Sequence, residues 1–230
     1  IEGGEYQLLN RIIETGIILK HRLKKNLNIN MQHYNETFKI NGINISFHPS
    51  GHILGSSQIK IKNDFETWLI TGDFKLQEDQ TCMKYEEIKN YYLICESTFG
   101  LPIFNWEPSQ EITNNIANWI KESPNIISIL FCYSLGKSQR ILNELINKDI
   151  KDVYCHTNIE IINNLYRSIG VNLIETKKFN KSINLNYLKG CLIILPPILN
   201  NKNFLKNFKS YQTAFASGWM SIRALKKRSG

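Results

Sequence analysis

No run in this sequence is apolar for long enough to cross a membrane. The longest, 191–199, is about half of the ~18–20 residues a span requires, and it contains Pro196 and Pro197. No C-x-x-C pair is present either. The five cysteines (Cys82, Cys95, Cys132, Cys155 and Cys191) are widely spaced and odd in number. That argues against a disulfide framework and for reduced thiols in the core of a cytoplasmic protein. Internal repeats are missing, and the Asn-, Ile- and Lys-heavy text reads as a coding bias. No Met opens the chain, which closes on Lys226-Lys227-Arg228-Ser229-Gly230. A fragment lacking both ends is therefore expected. Acidic residues are the scarcer charge, 20 against 28 Lys and Arg, for a net +8 and a pI of about 9.2. This balance favours a polyanionic partner but is also common among plain enzymes. With 42% hydrophobic and 11% aromatic residues the chain can build a sizeable core, which excludes disordered and fibrous classes.

The two halves carry different periods. From 37 to 96 the pattern is period two: Phe38 and Ile40, then Asn41-Gly42 as a type I′ turn signal, then Ile43, Ile45 and Phe47. Ile59 and Ile61 lead to the turn Asn63-Asp64, Trp68-Leu69-Ile70 returns, and 91–95 is a short apolar strand. A largely antiparallel, packed sheet is expected. After Glu107 the period changes. Ile112, Ile116, Trp119 and Ile120 predict a helix after Pro108-Ser109, and 126–133 a buried strand. Ile141, Leu142, Leu145 and Ile146 mark a second helix. A strand at 153–156, a helix through Ile169 stopped by Gly170, and strands at 191–195 and 211–216 follow. Strands alternating with helices argue for βαβ units and a parallel sheet.

The densest chemical signal is Phe47-His48-Pro49-Ser50-Gly51-His52-Ile53-Leu54-Gly55-Ser56-Ser57-Gln58. A strand ends, and Pro with two glycines shapes a tight loop that projects one imidazole. Ile70-Thr71-Gly72-Asp73 then runs a buried strand into a Gly and a carboxylate. Sheet ends that present His and Asp this way are how metal sites are built on rigid scaffolds. Taken singly, His52 also reads as a hydrogen-bonded loop residue and Asp73 as a turn or cap.

Together with Glu96-Ser97-Thr98-Phe99-Gly100, with Phe131-Cys132-Tyr133-Ser134-Leu135-Gly136-Lys137-Ser138-Gln139-Arg140, and with Ser217-Gly218-Trp219-Met220, this text resembles the β-CASP group of metallo-β-lactamase-fold nucleases. Within the group it is most similar to the bacterial ligase-associated DNA exonucleases, also described as mRNA 3′-end processing factors. The resemblance covers roughly 36–220. It implies an α/β fold of the αββα metallo-β-lactamase type, incomplete here, with an inserted parallel α/β domain. The boundaries it implies are 1–107 for the metallo-β-lactamase part, 108–212 for the β-CASP insert, and 213–230 for the return. It further implies that His52 is a metal ligand, that Asp73 bridges two zinc ions, and that Glu96 is an acidic group beside the metals.

The family's H-x-H-x-D-H motif is not among His21, His33, His48, His52 and His156. The later segment that supplies another site histidine is also not found. The chain as it stands is accordingly expected to be inactive. The implied function of the intact protein is zinc-dependent exonucleolytic hydrolysis of DNA phosphodiesters in repair, with an ATP-dependent DNA ligase and a helicase as partners and no membrane. The alternatives are an RNA-processing nuclease, a non-catalytic nucleic-acid-binding relative, and a small-molecule hydrolase, against which the long insert argues.

Leu135-Gly136-Lys137-Ser138 is not a nucleotide P-loop, because G-x-x-x-x-G-K-[ST] needs Gly where Phe131 stands. A strand running through a Gly turn into a helix nevertheless offers N–H groups and a positive dipole end. Gly136, Lys137, Ser138 and Arg140 are candidates for a nucleic-acid phosphate, with a plain strand–helix turn as the alternative. Arg223, Lys226, Lys227 and Arg228 read either as a solvated end or as a DNA-facing rim. His21-Arg22-Leu23-Lys24-Lys25 reads as the exposed end of a helix, and His156 as a helix cap or core residue.

Overall fold

The computed structural model describes residues 9–23, 28–180 and 182–218. The basic cluster at 223–228, Trp219-Met220, and Lys24 and Lys25 lie outside them. The chain divides between Thr98 and Phe99 into two compact units.

In the first unit, strand β1 (Leu9–Ile12) runs into helix α1 (Ile13–Leu23), and β1 pairs in parallel with β2 (Ile29–Gln32). A second sheet holds β3 (Thr37–Ile40), β4 (Ile43–Pro49), β5 (Ser57–Lys62), β6 (Thr67–Ile70) and β7 (Tyr92–Ile94) in that order. The β3–β4 hairpin turns on Asn41 and Gly42 at φ of 49° and 82°, the two left-handed positions of a type I′ turn. Asn63 closes the next turn, its side-chain oxygen accepting from the N–H groups of Phe65 and Glu66.

Strands β3 to β6 are antiparallel, whereas β7 joins β6 in parallel. Direction therefore alternates until β7, and β4, β6 and β7 all point the same way. The loops that leave these three strands open at one end of the sheet. Strand β7 is outermost, and Tyr92, Leu93 and Ile94 are exposed. The expectation of a packed strand at 91–95 is corrected on this point, since an edge strand of three residues has one neighbour only. Its follower Cys95 is exposed too, and Cys82 is half-buried. Cys132, Cys155 and Cys191 are the core thiols.

The second unit begins with α2 (Ser109–Lys121), which buries Thr113, Ile116, Ala117 and Ile120 at helical spacing. It continues through β8 (Ile127–Phe131), α3 (Lys137–Glu144), β9 (Val153–Cys155), α4 (Thr157–Ser168), β10 (Lys177–Lys178), β11 (Leu192–Leu195), α5 (Lys202–Leu205) and β12 (Tyr211–Phe215). The five strands are parallel, in the order β10-β9-β11-β8-β12. Every residue of β8, β9 and β11 is buried, as a parallel sheet covered on both faces demands. His156 caps α4, its Nδ1 accepting the Asn158 N–H at 3.2 Å, and burial lowers its pKa. Among the described residues no helix is long and apolar enough to cross a membrane.

Candidate functional site

The loop from 50 to 56 leaves β4 and returns on β5, held by its own polar groups. The N–H of Ser50 reaches the carbonyl of Ser56 at 3.2 Å. The Ser56 hydroxyl oxygen accepts from the N–H groups of His52 and Ile53 at 3.2 and 3.0 Å. Two glycines make the path possible. Gly51 sits at φ 71°, and a Cβ there would lie 2.3 Å from the Lys75 carbonyl oxygen. Gly55 sits at φ 77° with the backbone N of Thr15 only 2.6 Å from where a Cβ would be. This close approach lets Thr15 donate its hydroxyl to the Gly55 carbonyl at 2.5 Å, while the Tyr34 hydroxyl donates to the Ser56 carbonyl at 2.9 Å. Burial, with Glu14 nearby, pushes the Tyr34 phenol pKa up, so it stays a donor. Sequence reasoning missed Thr15 and Tyr34. They lie 41 and 22 residues upstream of Ser56, and no local pattern marks them.

Asp73 follows β6 and is tied to the same loop. Ser50 donates its hydroxyl to the Asp73 carbonyl at 2.9 Å, and the Lys75 N–H donates to the Ser50 carbonyl at 3.0 Å. These bonds bring His52 Nε2 to 3.6 Å from Asp73 Oδ2, with side chains 41% and 70% exposed. Two residues beyond β7 comes Glu96. The Thr71 N–H meets the Ile94 carbonyl at 3.0 Å, and the Glu96 N–H points to the Thr71 hydroxyl at 3.4 Å. The Thr98 N–H donates to the Glu96 carboxylate at 2.6 Å and lowers its pKa. Burial opposes this, while the Thr98 hydroxyl, the Phe74 N–H and the charge of His52 add to it. Glu96 is thus an ionised carboxylate within electrostatic reach of His52. The common end of β4, β6 and β7 brings His52, Asp73 and Glu96 together.

The 73–81 segment has its own anchor. Burial pushes the Asp79 carboxyl up, but Lys75 at 2.5 Å and the hydroxyl and N–H of Thr81 at 2.6 and 2.9 Å outweigh it, and its pKa falls. On the neighbouring sheet face His48 is buried with both ring nitrogens committed, Nε2 to Ser46 at 2.9 Å and Nδ1 to Glu86 at 3.3 Å.

In the second unit, the turn between β8 and α3 is self-satisfied. The Gly136 N–H donates to Gln139 Oε1, that of Lys137 to the Leu135 carbonyl, that of Ser138 to the Tyr133 carbonyl, and that of Arg140 to the Gly136 carbonyl. Ser138 is buried and also donates its hydroxyl to the Tyr133 carbonyl at 2.7 Å. Arg140 Nε bonds Glu144 at 3.0 Å, and Glu144 also accepts the hydroxyls of Ser109 and Thr113.

No family model matches the chain. A protein of Opitutus terrae named "Probable DNA ligase" is 29% identical over 178 residues, 76% of this chain and 17% of the relative. Endoribonuclease YSH1 of Yarrowia lipolytica is 31% identical over 115 residues, 47% of this chain and 13% of that protein. RNase aCSPSF2 of Saccharolobus solfataricus is 30% identical over 122 residues, 50% of this chain and 24% of that protein.

The chain is thus similar to the β-CASP nucleases of the metallo-β-lactamase fold.

It spans between 13% and 24% of the length of these three relatives. A zinc ion takes about four donors, and His52 and Asp73 are donors of the right chemistry. Among the described residues, however, no three His, Cys, Asp or Glu side chains stand close enough together to hold a metal ion. The described part of this chain fits one corner of a zinc centre and not a whole one.

Proposed function

We propose that the intact protein hydrolyses nucleic-acid phosphodiesters, and that His52, Asp73 and Glu96 are this chain's share of the active site. The carrying observation is their convergence on one end of a sheet, on loops fixed by Gly51, Gly55, Ser50 and Thr71. Two carboxylates placed there would repel a phosphodiester, so the cluster asks for a cation between itself and the substrate. Zinc is the cation of this reading, two ions in the intact protein, with His52 and Asp73 as donors. When bound, such an ion supplies Lewis acidity toward phosphate oxygens. In this reading His52 and Asp73 would hold the metal, and Glu96 would orient a neighbouring ligand while staying ionised at neutral pH. The αββα sandwich and an inserted domain over 108–212 belong to the same proposal.

The substrate in this reading is DNA and the cleavage exonucleolytic, in repair beside a DNA ligase and a helicase; the relative named as a ligase favours this choice. Relatives named as ribonucleases favour RNA as the second reading. The test is hydrolysis by the intact protein of matched end-labelled DNA and RNA strands, with and without chelator. Shortening of DNA that the chelator stops is expected. RNA cleavage alone selects the second reading, and cleavage of neither removes the function.

A further inference from the structure

Residues 82–86 carry none of the groups assigned to the site, yet they lie across the loop that holds His52. The Glu86 N–H donates to the Pro49 carbonyl at 3.1 Å, and the Cys82 thiol donates to the Gly51 carbonyl at 3.5 Å. Between these two bonds Tyr85 presses on Gly51. A Cβ on Gly51 would stand 3.0 Å from the Tyr85 backbone N and 3.2 Å from the Tyr85 Cβ. The Tyr85 ring also lies against Phe74, the neighbour of Asp73, with centroids 5.6 Å apart. The strap 82–86 thus grips the backbone on both sides of Ser50, and the Ser50 hydroxyl holds the Asp73 carbonyl at 2.9 Å.

Two side chains fasten the strap to the sheet. His48 and Gln58 stand opposite each other on β4 and β5. Gln58 Nε2 donates to the Pro49 carbonyl at 2.9 Å and to the Glu86 carbonyl at 2.7 Å, so one amide joins loop and strap. His48 Nδ1 meets the Glu86 carboxylate at 3.3 Å, and its Nε2 meets the Ser46 hydroxyl at 2.9 Å. Gln58 is wholly buried, and its Oε1 has no hydrogen-bond partner among the described residues. A buried amide oxygen left unpaired costs stability, so the fold alone gives little reason for glutamine here. What Gln58 supplies is the double donation that fixes Pro49 against Glu86.

We infer that His48, Gln58 and Glu86 are positioning residues of the proposed active site. Acting through the strap and Ser50, they set where the His52 loop stands relative to Asp73, and they touch neither metal nor substrate. A misplacement of about 1 Å arising away from the chemistry can cost about a hundredfold in rate, so their loss should fall on kcat. The inference rests on the hydrolytic reading above and adds the framework behind its residues.

The test has two readouts on the intact protein. One is hydrolysis, with zinc, of whichever end-labelled strand the wild type cleaves, DNA or RNA. The other is amide hydrogen exchange of residues 50–56 without added metal. Gln58→Met and Glu86→Ala should each lower kcat about tenfold or more, leave KM within about twofold, and speed exchange in 50–56. Glu86→Gln keeps an oxygen that can face His48 Nδ1 and should restore both readouts. Gly42→Ala strains the far end of β4 at φ 82° and should leave kcat unchanged. Circular dichroism checks that each variant is folded, and Gln58→Met decides the matter if Glu86→Ala is not. Wild-type kcat or unaltered exchange in the folded variants overturns the inference and spares the hydrolytic reading. So does an equal fall of kcat in Gly42→Ala, since lost stability alone would then set the rate. Wild-type protein that cleaves neither strand overturns both.

Discussion

Gly51→Ala is the substitution that strikes the candidate site hardest without touching a charged group. At φ 71° an alanine costs about 1–2 kcal/mol for the left-handed conformation alone. Its Cβ would also lie 2.3 Å from the Lys75 carbonyl oxygen, a distance that real Cβ contacts do not reach, so the 73–75 backbone must retreat. That retreat pulls on two bonds, Ser50 Oγ to the Asp73 carbonyl and the Lys75 N–H to the Ser50 carbonyl, each worth about 1 kcal/mol net. The sum is about 3–4 kcal/mol, a large share of the ~5–15 kcal/mol that holds a domain folded. Gly42→Ala is the internal control. Its φ is 82° but nothing lies within 4 Å of its Cβ, so it should cost only the conformational part, about 1–2 kcal/mol. Equilibrium urea unfolding of both variants measures the difference, expected to be about 2 kcal/mol. Equal losses would refute the reasoning, because the close approach to Lys75 would then carry no energy.

Lys75→Met should destabilise by about 3 kcal/mol, because it takes the Lys75 cation away from the buried Asp79 carboxylate; urea unfolding checks it, and no loss would mean the pair is dispensable. Acid should weaken the fold through Glu96. Its folded pKa lies below the ordinary glutamate value of about 4.3, so the unfolded chain takes up the proton first. This contribution is fully present above about pH 4.3 and is lost as pH falls through the folded value. Glu96→Gln should flatten that decline in urea midpoints between about pH 5 and 3. Thiol labelling at pH 8 should modify exposed Cys95 first and spare Cys132 and Cys155 until unfolding. Burial pushes both of those thiols up, Cys132 to about 11, and mass spectrometry of the labelled peptides reads the order.

What the sequence carried plainly was local. Asn41-Gly42 declared its hairpin because two consecutive left-handed residues are cheap only for such pairs. The runs at β8, β9 and β11 declared a parallel sheet because both of its faces are covered. The cap at His156 lay among the readings its position left open. Long-range choices were illegible. Strand β10 is Lys177-Lys178, an edge pair whose Lys177 side chain reaches Asp152 at 2.7 Å, and no apolar signal marks it. The β1–α1–β2 unit went unread except for its basic end, as its strands are four residues each and its helix only weakly patterned. At the site, His52, Asp73 and Glu96 were visible as residues. That they share one end of a sheet depends on β7 joining β6 in parallel, which no local pattern encodes.

The most direct measurement is of cleavage and binding together, on one labelled single strand, for the intact protein and its Asp73→Asn variant. Asparagine keeps the size of the side chain and removes its charge, and the backbone carbonyl that holds Ser50 is untouched. The account predicts that cleavage falls to background while the strand binds as before. Cleavage at the wild-type rate would contradict it, because the carboxylate beside His52 would then have no part in the chemistry.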